Sequence, residues 1–63
     1  MKLRVELDTG WATVVERDDD RGFASWCMML VREGFTTVDG VGEVYVPGHR
    51  IGTIRPVVEK FDA

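Results

Sequence analysis

The chain has no Asn and no Gln, and only one Cys, one His and two Pro among its 63 residues. Each scarcity removes a class of answer. Cys27 stands alone, so no disulfide forms within the chain, and with His49 as the only imidazole a structural zinc site lacks its ligands. Basic residues are also in the minority, 8 Lys and Arg against 11 Asp and Glu, for a formal net charge of −3. That balance opposes the phosphate neutralisation on which nucleic-acid affinity rests. Long apolar runs are missing too. The longest, Trp26 to Val31, falls far short of the roughly 20 residues that cross a bilayer. The opening MKLRVELD is charged from its second residue and does not read as a signal peptide. A lone cysteine without an export signal points to a cytoplasmic setting.

What is present fits one globular domain over 1–63, with 44% hydrophobic and 30% charged residues. A chain this short buries only about 60% of the surface its unfolded state exposes, so its stability is marginal. Disulfide and zinc being excluded, association with a further subunit is the expected remedy.

Residues Lys2 to Leu7 alternate apolar and charged, which predicts a half-buried strand. Asp8-Thr9-Gly10 is turn chemistry, and Trp11 to Val15 reads as the return strand of a hairpin. In RGFASWCMMLVREGF, the residues Phe23, Trp26, Cys27 and Leu30 fall at i, i+3, i+4 and i+7, one stripe of a helix. The acids Asp18, Asp19 and Asp20 are expected to cap it, Gly34 to end it with positive φ, and Phe35 to fold back on Leu30. Strands then follow over Phe35–Val38, Glu43–Val46 and from Ile51 onward, with Asp39-Gly40 as one turn and Pro47-Gly48 as a type II turn closing a second hairpin. Pro56 pushes the last strand to a sheet edge or ends its pairing. The expected fold is α+β, ββαββ with a fifth strand, one helix on a small and mostly antiparallel sheet.

The stretch VYVPGHRIGTIRP has no acid between Glu43 and Glu59. Its plain reading is a turn with Val44, Val46, Ile51 and Ile54 in or near the core. Its sharper reading makes His49, Arg50 and Arg55 an anion-binding edge, with Gly48 and Gly52 admitting a ligand to the backbone and Trp11 and Tyr45 stacking on a base. A nucleotide is one ligand of that kind. A second group, Trp26, Met28, Met29 and Leu30 with Phe61, wraps more of the helix than one sheet covers, and so predicts an interface, most simply with another copy. Cys27 reads as a small buried hydrophobe, and no carboxylate or nucleophile–base pair is evident. No cofactor, metal or catalytic residue is assigned, and a non-enzymatic module ranks ahead of an enzyme.

Usage rich in Val, Arg, Asp and Gly and poor in Lys and Ile is that of GC-rich coding. The ending VYVPGHRIGTIRPV resembles the closing strands of small uncharacterised proteins of actinobacteria and their phages, which end in a VP-x-H-R-I hairpin. The resemblance implies a small α+β fold and no activity. A phage origin would fit a protein that engages a host protein or sequesters a small anionic metabolite. The same stretch is similar to the second motif of Sm-like barrels, which implies an Sm/SH3-like small β-barrel and a nucleic-acid-binding ring with its RNA-facing turn near Val46 to Arg50. The helix-ending chemistry at Gly34, where that barrel needs a long bent strand, and the absence of Asn depart from the pattern.

Overall fold

The computed structural model describes residues 1–58; Phe61, expected at an interface, lies outside the described residues. The elements follow the order β1 (Lys2–Leu7), β2 (Ala12–Glu16), α1 (Phe23–Glu33), β3 (Phe35–Val38), β4 (Glu43–Val46), a single 3₁₀ turn (Gly48–Arg50) and β5 (Ile51–Pro56). This is the α+β architecture expected from the sequence, one helix with antiparallel strands. The strands form two sheets, ordered β2-β1-β5 and β3-β4, and do not close into a barrel. The Sm-like alternative therefore lacks its scaffold.

The alternation in β1 is what builds the core. Leu3, Val5 and Leu7 point inward and are buried, while Lys2 and Arg4 face solvent. Val15, Leu30, Phe35 and Val46 complete the buried cluster, and Phe23, Trp26, Ile51 and Ile54 pack against it half-buried. The helical stripe is thus the expected one, with Leu30 fully inside and Phe23, Trp26 and Cys27 at its margin. The two sheets also meet at a hydroxyl pair, Thr13 Oγ1 and Thr37 Oγ1, 3.0 Å apart.

Three local expectations are corrected. None of the aspartates caps α1. Its N-cap is Gly22, with no side-chain cap, and Asp19 instead pairs with the Met1 ammonium at 2.7 Å. The cap begins two residues after Asp20, so these carboxylates lie too early in the chain. Next, β4 and β5 are not a hairpin: β4 pairs with β3, and β5 with β1. Finally, Pro47-Gly48 is not a type II turn. Gly48 has no positive φ and begins the 3₁₀ turn that carries the chain from one sheet to the other. Glycine is needed there for a different reason, since a Cβ on Gly48 would land on the Val31 carbonyl and come within 2.9 Å of the Leu30 oxygen. The expectation for Gly34 holds in its sign: φ is +77° as its N–H closes α1 on the Leu30 carbonyl, at 2.7 Å, and the chain leaves extended into β3. Pro56 does lie on an edge strand, β5.

Candidate functional site

Three segments that are distant in sequence converge on an open groove of about 320 Å³. It is lined by Leu7, Thr9 and Trp11 on the β1–β2 side, by Val44, Tyr45, Val46 and Pro47 of β4 and its exit, and by Asp39 and Arg50. Each wall has a local cause. Trp11 is presented by the β1–β2 turn, where the Leu7 N–H bonds to the Trp11 carbonyl at 2.8 Å. Tyr45 is fixed by its hydroxyl, which donates to the Glu33 carbonyl at 2.6 Å, leaving its ring 57% exposed. Trp11 is also exposed, so two aromatic faces remain available.

The groove's charges sit at its ends. Asp39 Oδ1 accepts the Val41 and Gly42 N–H groups at 2.8 and 3.0 Å, an Asx turn that holds the β3–β4 loop. Those bonds, from Val41 first and then Gly42, hold its carboxyl below the usual range, so it stays charged. Arg50 is tied to the β1–β2 turn twice. Its Nε donates to Asp8 Oδ1 at 3.2 Å and its carbonyl accepts the Asp8 N–H at 2.9 Å.

Of the residues singled out in the sequence, Trp11, Tyr45 and Arg50 share this groove and His49, Arg55 and Gly48 do not line it. His49 is exposed on the 3₁₀ turn, and Arg55 stands opposite Arg4 on the outer face of the three-stranded sheet. Gly48 lies beneath the end of α1, and Gly52 is 3.2 Å (from its would-be Cβ) from the Glu6 carbonyl. Both glycines thus admit the protein's own backbone. Sequence reasoning missed Leu7, Thr9, Asp39, Val44, Val46 and Pro47 as groove residues. Asp39-Gly40 signalled the turn, but nothing in the pattern says that β4 leaves one edge open.

The second predicted group divides. Leu30 is 2% exposed and belongs to the core, Met29 is half-buried, and Met28 is 68% exposed. Trp26 donates its indole N–H to the Asp18 carbonyl at 2.9 Å, with the Arg17 and Arg21 guanidinium carbons 5.9 and 5.4 Å from its ring centre. Met28 joins Cys27, Val31 and Arg32 around a shallow apolar depression on the outside of α1. Partial burial there raises the Cys27 thiol's pKa above its ordinary value. Among the described residues no group of His, Cys, Asp and Glu is placed to hold a metal ion, and no helix is long and apolar enough to cross a membrane.

No protein-family model matches the chain, and neither a curated protein nor a solved structure shows a significant match to it.

Proposed function

We propose that the protein is a small, non-enzymatic, oligomeric binding module that takes an extended polypeptide segment in the groove between Trp11 and β4. The observation that carries this reading is that the groove meets three successive residues of one strand, Val44, Tyr45 and Val46. Successive strand side chains point to opposite faces, so a groove touching all three runs along the strand's edge. An edge with exposed aromatic and half-buried aliphatic neighbours suits β-strand addition, in which main-chain bonds give affinity and alternate side chains give specificity.

The small-anion reading, a nucleotide stacked on Trp11 and Tyr45, keeps those two rings and one cation. It loses His49 and Arg55, and Arg50 is already met by Asp8 while Asp39 adds a negative charge to the lining. A polypeptide occupant fits that mixed charge better than a phosphate does.

Displayed peptides selected against the immobilised protein test the proposal by calorimetry. Trp11→Ala and Tyr45→Ala are expected each to weaken the best peptide by tenfold or more, a typical anchor loss. Affinity unchanged in both variants would sink the reading. Guanosine and adenosine monophosphates in the same cell test the small-anion alternative, which requires binding that Arg50→Ala abolishes.

A further inference from the structure

The groove's edge has a polarity that names its occupant. β4 pairs with β3 alone, and among the described residues no other backbone group bonds to Glu43–Val46. It is also better suited to strand addition than the β5 edge. β5 carries Gly52 and Pro56, both hostile to strand pairing, whereas β4 reads Glu-Val-Tyr-Val with no proline or lysine. Acidic residues mark its N-terminal end, Asp39 and Glu43, and basic ones follow its C-terminal end, His49 and Arg50, the latter held in place by Asp8 at 3.2 Å. The strand between spans about 13 Å at ~3.3 Å per residue.

An edge charged in this way is complementary to itself. Two copies of β4 laid antiparallel about a two-fold axis bring the acidic end of each against the basic end of the other. With the axis at Tyr45, each Tyr45 stands opposite its copy, Val44 opposite the partner's Val46, and Glu43 opposite the partner's Pro47, at the end from which the partner's Arg50 follows. Parallel addition would set like charges together instead. Resting on the binding-module reading above, we infer that the groove's occupant is a second copy of this chain, joined through β4 in an isologous dimer. The dimer has one continuous four-stranded sheet, β3-β4 followed by the partner's β4 and β3. That extends the smaller sheet, whose two strands in the single chain are held by packing of Phe35 and Val46 against the core that includes Leu30 of α1. In this arrangement the Met28 side of α1, expected from the sequence to carry association, lies away from the pairing strands.

Sedimentation velocity of the full chain tests this with a pair of charge reversals, circular dichroism serving as the check on folding. Wild type is expected to be a dimer. Glu43→Arg and Arg50→Glu each place like charges at both ends of the pairing, and each alone is expected to weaken the dimer by about tenfold or more. Mixed in equal amounts, the two folded variants are expected to form a heterodimer at least as tight as wild type, because every end contact is then Arg against Glu. A wild type that stays monomeric through the micromolar range overturns the inference. So does a dimer indifferent to both reversals, or a larger ring, which would require β4 to pair with a different edge. A monomer whose selected peptides still need Trp11 and Tyr45 removes the second copy alone. Peptides that ignore both residues, with the charge pattern intact, remove the general reading alone.

Discussion

The hydroxyl of Tyr45, on β4, donates a 2.6 Å hydrogen bond to the carbonyl of Glu33, the last residue of α1. One residue of the strand that forms the groove thus also satisfies a carbonyl that the helix leaves open at its C-terminus. Tyr45→Phe keeps the ring and loses this bond. In an exposed setting the expected cost is about 1 kcal/mol or less by urea unfolding, with peptide affinity little changed. Tyr45→Ala should lose both stability and binding.

Gly48→Ala should be far more costly than its size suggests. The new methyl meets the main-chain carbonyls of Leu30 and Val31, which belong to α1 and cannot move aside as a flexible side chain can. We expect a loss of more than about 2 kcal/mol in chemical denaturation, enough to unfold much of a marginal domain. Gly22→Ser is the opposite case. Gly22 is an uncapped N-cap in extended conformation with open space around its would-be Cβ, so a serine hydroxyl there should add a few tenths of a kcal/mol.

The acid dependence of the β3–β4 loop follows from Asp39. Its folded pKa is lowered by the Val41 and Gly42 N–H groups, so its contribution is complete above the unfolded carboxylate pKa and is lost as pH falls through the lower folded value. Asp39→Asn keeps an acceptor oxygen without the titration. Its stability should fall less than wild type's between about pH 5 and pH 2, followed by the thermal midpoint at each pH.

The Cys27 thiol should react slowly. Partial burial on the outside of α1 raises its pKa, which lowers its thiolate fraction at neutral pH. Alkylation by iodoacetamide at pH 7.5 is expected to be several-fold slower than for the urea-unfolded chain. Equal rates would contradict the assignment.

The parts of the fold that local chemistry dictates were legible in the sequence. The two-residue alternation of Leu3, Val5 and Leu7, the 3.6-residue stripe ending at Leu30 and the helix stop at Gly34 each act within a few positions, and each appears where expected. The long-range pairing was not legible. Pro47-Gly48 carries every local sign of a hairpin turn, yet β5 finds β1, some fifty positions away in sequence, because Ile51 and Ile54 pack against the cluster around Leu3 and Val5. Tertiary packing overrode turn propensity there. The site was half-legible for the same reason. Trp11, Tyr45 and Arg50 stood out by residue type, but only the split into two sheets brings them to one groove and sends Arg55 to another face.

The account turns on the groove beside β4, and amide chemical-shift mapping tests it most directly. Spectra of the labelled protein would be recorded with rising amounts of a selected peptide. We predict that perturbations centre on Leu7, Thr9, Trp11, Val44 to Val46 and Arg50, with the Val44 to Val46 amides protected from hydrogen exchange when the peptide is bound. Perturbations confined to Cys27, Met28, Val31 and Arg32, leaving β4 unchanged, would contradict it and move the binding surface to the outer face of α1.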